Sequence, residues 1–275
     1  MFIGAARPLS YSGLSVAAAS LQAGLPALWA VMTVETKGCG FLPDRRPQIL
    51  FERHIFHKRT KGRFDAGFPD LSAPTAGGYG AGGAFQHDRL MRAVQLDRKA
   101  ALESTSWGLG QVMGFNAASA GFPDAETMAA AMCESEDRQI QAMVAFITKN
   151  GLQSHLQQGD WATFARHYNG PDFQKNQYDT KLADAHAKFV AGPLPSLSVR
   201  AAQLYLIYLG YKPGPVDGWA GRNTRAAVIE FQKAKGLPAT GQIEESTLGL
   251  LEAGVTALHA VRALTPNQGG GAWQP

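Results

Sequence analysis

The chain has 275 residues, 45% hydrophobic and only 17% charged, with a formal net charge of +4, which is ample material for a core. Its mild positive excess contains no basic run or arm, so composition argues against nucleic acid as the partner and leaves room for an anionic surface such as a bacterial envelope. Two cysteines, Cys39 and Cys133, build neither a disulfide framework nor a metal-ligand set, as suits synthesis in a reducing compartment, and no stretch approaches a membrane span.

Helices are predicted near 13–23 and 26–37, with a turn at Gly24-Leu25-Pro26. The segment before them holds one basic residue, Arg7, and a short apolar run, which does not make a secretory signal. Leu25, Leu28, Trp29 and Met32 recur at helical spacing, and Glu35 and Thr36 continue the stripe. Glu35 therefore falls at the edge of a core and at a helix C-terminus. Desolvation and the negative helix end both disfavour its charged form. A carboxyl group kept protonated near neutral pH is what a general acid needs. Gly38 supplies a left-handed stop to the helix. The plainer reading is a solvated Glu in a frayed last turn.

PQILFERH, residues 47–54, has strand character, which places Leu50, Glu52 and His54 on one face. Glu52 is then a second carboxylate, or else an ion-pair partner of Arg53. Asp44, in PDRRP, is a further acid that also suits a turn. The Gly- and Pro-rich stretch Asp65–Gly83 reads as a long loop able to flank a groove. Further helices are predicted near 86–103, 107–117, 124–132, 134–150, 160–168 and 178–190.

In STSWGLGQVMGFN, residues 104–116, Ser106 and Gln111 offer hydrogen bonds and Trp107 an aromatic face suited to sugar rings. The alternative is a capped helix start with Trp107 in the core. In FARHYNGPD, residues 164–172, Tyr168 can donate to a neighbouring carboxyl and Asn169 can bind a substrate amide; an Asn-Gly helix end explains them equally. HIFH, with His54 and His57, is a weak zinc pattern without a third ligand at a recognised spacing, so no metal or cofactor is expected.

AGPLPS, residues 191–196, reads as a linker between domains at 1–192 and 193–275. The second domain is expected to hold three helices, with apolar positions at Leu204, Ile207 and Tyr208, at Ala227, Val228 and Phe231, and at Leu248, Leu250 and Leu251. DGWAGRNT (217–224) and TGQIEEST (240–247) echo each other as G-x-x-x-x-x-T, each a tight turn opening a helix. The tail TPNQGGGAWQP is expected to be disordered.

The ordered set VETKG, STSWGLGQVMG and HYNGP resembles the lysozyme-like superfamily of lytic transglycosylases and goose-type lysozymes. VETKGCGFLPDRRPQILFERHIF with SWGLGQVMGFN is more similar to the N-acetylmuramidase family of phage endolysins, over roughly residues 10–190. LGYKPGPVDGWAGRNTRAAVIEFQKAKGLPATGQIEESTLGLL is similar to peptidoglycan-binding domains of the PGBD type. The resemblance implies a mainly α protein: a lysozyme-like α+β catalytic domain followed by a small three-helix wall-binding domain. It implies Glu35 as catalytic acid and Ser106, Gln111, Tyr168 and Asn169 in the cleft. The second acid, Glu52 or Asp44, stays open. GLGQV stands where that superfamily has a GLMQI-like run, and HYNGP where it has AYNAG, which touches the finer subsite contacts.

The expected activity is cleavage of the β-1,4 bond between N-acetylmuramic acid and N-acetylglucosamine in peptidoglycan. The alternatives are a lytic transglycosylase, a zinc amidase or peptidase, and a non-catalytic wall protein. The expected form is a monomer made in the cytoplasm, which reaches the wall through a membrane hole as endolysins of this kind do.

Overall fold

A computed structural model describes residues 2–264, with the side chains of the last helix described to residue 258. The predicted disordered tail lies outside the described residues. The chain divides into two units, residues 1–195 and 196–275.

The first unit is built around a helix that is apolar on every side. After α1 (Tyr11–Leu21), α2 (Leu25–Thr36) buries six consecutive residues, Ala27 to Met32. A helix apolar all round must be surrounded, so the four-residue stripe understated its burial. Pro26 sits in the first turn, where its missing N–H costs nothing. The helix ends at Thr36, where Lys37 is the first left-handed residue and Gly38 follows at φ 85°. No single helix among the described residues is long and apolar enough to cross a membrane; α1 and α2 together have the length but meet at a 109° bend.

The chain then forms β1 (Ile49–Phe51), α3 (Arg53–Thr60), the long loop, α4 (Ala84–Leu96) and α5 (Arg98–Glu103). The strand is shorter than predicted. Glu52 precedes the first turn of α3, its carbonyl accepting from the Phe56 N–H at 3.0 Å, and His54 lies on the helix. Phe56 and Thr60, four apart and both buried, set a helical period that overrides the alternation in ILFERH. The expected 86–103 helix breaks at Asp97, whose carboxylate caps α5 through the Ala100 N–H at 3.0 Å.

The predicted helix 107–117 is instead a hairpin, β2 (Thr105–Trp107) and β3 (Val112–Met113), followed by a 3₁₀ turn at Gly114–Asn116. It completes an antiparallel sheet ordered β1-β2-β3, with Leu50 opposite Ser106 and Ser106 opposite Met113. Gly108 at φ 67° and Gln111 at φ 46° reverse the chain, a geometry incompatible with a continuous helix.

There follow α6 (Ala125–Met132), α7 (Glu136–Lys149), α8 (Gln153–Gln158, not anticipated), α9 (Trp161–Tyr168) and α10 (Tyr178–Ala191). α10 lies along α2 and against α9. α7 supplies two buried polar side chains that tie distant loops together. Glu136 accepts from the N–H groups of Leu9 and Gly40, each at 2.8 Å. Gln139 accepts from Leu109 N–H at 2.8 Å and donates to Met132 O at 2.8 Å. The turn after Glu35 and the tip of the hairpin are thus fixed by one helix.

The second unit consists of α11 (Leu197–Tyr208), α12 (Arg222–Ala234) and α13 (Glu245–Leu264). Its core is Ala202, Tyr205, Leu206, Ala227, Val228, Phe231, Leu251 and Val255. The predicted faces of α12 and Leu251 agree. On α11 Leu204 is buried and Tyr208 packs against this core, which also takes in Ala202, Tyr205 and Leu206; on α13 Leu248 packs against it too, whereas Leu250 is exposed.

Candidate active site

Glu35 stands half-buried in the last turn of α2. Its Oε1 accepts a 2.8 Å hydrogen bond from Asn169 Nδ2, at the end of α9. Burial pushes the Glu35 carboxyl up to about 7, and the Asn169 bond opposes this only in part. Asn169 Oδ1 is buried with no hydrogen-bond partner among the described residues. Next to Asn169, Tyr168 stacks on Phe164 (5.2 Å, 13°) and donates to Gly110 O at 2.6 Å. The phenol therefore braces the hairpin and does not donate to a carboxyl group. A Cβ on Gly110 would sit 2.7 Å from Met143 and 3.0 Å from the Tyr168 hydroxyl. This glycine is required by close protein packing.

Glu52 lies between β1 and α3. Burial raises its pKa, opposed by a hydrogen bond from the Tyr79 hydroxyl and attraction to Arg89. His54 Nδ1 is 3.1 Å from Glu52 Oε2. That contact is not an ion pair of consequence: burial, then Lys58 and Arg53, lower the His54 pKa and favour the neutral ring. The two atoms are also not aligned as a hydrogen bond.

Tyr79, in the glycine-rich loop, went unrecognised in the sequence. Burial and the neighbouring Glu52 charge push its hydroxyl up to about 12. The loop is held from beneath by two buried residues of α4. Gln86 donates to the carbonyls of Tyr79 and Ala81, each at 2.7 Å. Arg89 donates to Asp70 O at 2.7 Å and Phe51 O at 3.1 Å. Tyr178, at the start of α10, was also missed. Its pKa is raised by burial and then by the charges of both Glu35 and Glu52, so it stands within electrostatic reach of the two acids. The one sequence signal for Tyr79 was an aromatic residue inside a long glycine-rich loop.

The remaining candidates bond or pack within the protein. Ser106 donates to Gln111 Oε1 at 2.8 Å, and Gln111 Nε2 donates to Gly108 O at 2.8 Å and Gln48 O at 3.2 Å. The pair holds the hairpin in shape. Trp107 is 1% exposed, packs edge-on against Phe2 at 5.2 Å and donates to Leu102 O at 3.3 Å. A buried ring offers no face to a sugar, which corrects the reading of Trp107 as a substrate platform in favour of a core residue. Asp44 accepts from Arg46 N–H at 3.1 Å and pairs with its guanidinium at 2.6 Å. Burial raises its pKa, but the bonds from Arg46 outweigh that and the net shift is downward. It is a turn residue. Among the described residues no cluster of three His, Cys, Asp or Glu forms a metal site.

The site thus pairs a half-buried acid at the end of one helix with an Asn at the end of another. Residues 24–190 match the N-acetylmuramidase family model. The chain belongs to the N-acetylmuramidase family. Residues 196–251 match the putative peptidoglycan binding domain. Among solved structures, the crystal structure of Burkholderia AP3 phage endolysin is similar at 41% identity and a TM-score of 0.61, covering 67% of this chain and 72% of that one. No curated protein matches the chain. The chain is thus a peptidoglycan hydrolase of endolysin type, with a C-terminal peptidoglycan-binding domain.

Proposed function

We propose that this hydrolase cleaves the β-1,4 glycosidic bond between N-acetylmuramic acid and N-acetylglucosamine, with Glu35 as general acid. The observation that carries the reading is the Glu35 carboxyl, pushed up to about 7 by burial at the end of an apolar helix. Such a group still holds its proton near neutral pH and can deliver it to the leaving glycosidic oxygen. Asn169 orients the carboxyl through one oxygen.

Glu52 is the second carboxylate of this reading. Burial raises its pKa on balance, and Tyr79 and Arg89 pull the other way; in its ionised form the group can orient water or steady an oxocarbenium-like transition state. Asp44 is set aside because its oxygens are committed to Arg46.

Mass spectrometry of soluble fragments released from purified peptidoglycan, before and after borohydride reduction, tests the reading. Reducible N-acetylmuramic acid ends are expected. Anhydromuramic ends would instead mean attack by the muramyl 6-hydroxyl, and free stem peptides over intact glycan would contradict any role for Glu35 as glycosidic acid.

A further inference from the structure

The second unit contains the same hydrogen-bonded frame twice. In the first copy, buried Gln203 accepts from Gly218 N–H at 2.9 Å and donates to Trp219 O at 3.1 Å, Asp217 Oδ1 at 2.9 Å and Thr224 Oγ1 at 3.1 Å. In the second, buried Gln232 accepts from Gly241 N–H at 2.9 Å and donates to Gln242 O at 3.0 Å, Thr240 Oγ1 at 3.3 Å and Thr247 Oγ1 at 3.1 Å. The local turn bond also repeats: Trp219 N–H donates to Asp217 Oδ1 at 2.9 Å, and Gln242 N–H to Thr240 Oγ1 at 3.2 Å. The echo in the sequence is therefore a structural duplication.

The duplication acts as an internal control. Residues common to both copies, the Gln, the Gly and the final Thr, satisfy buried polar groups and hold the loop. Where the copies differ, the frame does not dictate the residue. Trp219, Arg222 and Asn223 occupy the places that Gln242, Glu245 and Ser246 fill in the second copy. A glutamine serves the frame as well as the tryptophan does, yet the Trp219 ring is left 39% exposed.

Around Trp219 lies a pocket of about 310 Å³ lined by Pro213, Pro215, Asp217, Arg222 and Asn223 among others. The pocket on the second copy is lined by Gln242, Ile243 and Arg225 and has no aromatic wall. The first pocket offers apolar walls of Trp and Pro, a carboxylate acceptor, amide and guanidinium donors, and one charge of each sign. Apolar flats with a few convergent polar groups suit a small polar ligand. Balanced charge suits an uncharged one.

We propose that the pocket at Trp219 is the wall-binding site of the second unit and that it takes an N-acetylhexosamine of the glycan strand, not the stem peptide. The Trp219 ring covers the C–H face of the pyranose, while Asp217, Arg222 and Asn223 bond its hydroxyl and acetamido groups. This rests on the reading of the chain as a peptidoglycan hydrolase.

The test uses the full chain carrying Glu35→Gln, labelled with 5-fluorotryptophan, so that each Trp gives its own ¹⁹F signal; Trp219→Phe assigns the Trp219 resonance. Peptide-free glycan fragments and soluble stem peptide are titrated separately. The expected result is a saturable shift of the Trp219 signal with glycan fragments and none with stem peptide. An unmoved Trp219 signal with glycan, or a shift produced by stem peptide alone, would overturn the proposal. As a second readout, Trp219→Ala in the same background is expected to weaken binding to peptide-free glycan strands about 10-fold or more, on the usual scale of a stacked aromatic anchor, whereas Gln242→Ala leaves it unchanged. The fragment analysis given above for the catalytic reading is independent of this outcome, so either can fail alone.

Discussion

Asn169 donates a 2.8 Å hydrogen bond to Glu35 from 134 positions further along the chain. That bond joins the ends of α2 and α9 and draws the Glu35 pKa back towards its ordinary value. Asn169→Ala removes it. The Glu35 pKa then rises further, so the high-pH limb of kcat/KM moves to higher pH while the maximal rate falls, because the acid is no longer oriented. A pH–rate profile of the variant beside the parent measures both.

The raised Glu35 pKa also predicts a stability effect independent of catalysis. The folded-state value of about 7 lies above the ordinary 4.5. Between these values the folded protein binds more protons than the unfolded chain, so this group's contribution is fully present below about 4.5 and is lost as pH rises through about 7. Glu35→Gln removes that loss. The variant should be more stable than the parent at pH 8, by at most about 3 kcal/mol, with the difference vanishing near pH 4. Urea unfolding at the two pH values checks the sign.

For the second carboxylate, Glu52→Gln is expected to lower kcat by 100-fold or more, on the order seen when a positioned acid–base group is lost. Asp44→Asn should leave kcat within about 2-fold and cost at most about 1 kcal/mol of stability, since Asp44 itself is exposed. Initial rates of peptidoglycan fragment release separate the two.

Trp107→Ala tests the corrected role of that ring. Loss of a buried Trp costs roughly 3–5 kcal/mol, seen as a drop in denaturant midpoint. Trp107→Phe keeps much of the packing and should leave KM unchanged, whereas a sugar-stacking role requires KM to rise.

The placement of Glu35 in the last turn of a helix was legible in the sequence because it depends on local facts: an apolar helix, an acid near its end and a glycine close behind. The three-helix unit was legible for the same reason, from helical spacing. The hairpin at 105–113 was not. Its turn relies on Gln111 at a left-handed φ, which nothing in a glutamine announces, and its glycines make room for Gln139, Met143 and Tyr168, all distant in sequence. Trp107 was misassigned because only the packing of Phe2 and the Leu102 carbonyl decides which way the ring points. Tyr79 was hidden because its place beside Glu52 is fixed through Gln86 and Arg89 beneath a loop that has no periodicity of its own.

The central claim is that Glu35 delivers the proton. The most direct measurement compares the parent and Glu35→Gln for fragment release from purified peptidoglycan and, on the same preparations, for retention on it. The account predicts that release falls by at least about 1,000-fold, as expected when the catalytic acid is removed, while retention is unchanged. Release within about 10-fold of the parent, with the fold intact, would contradict it.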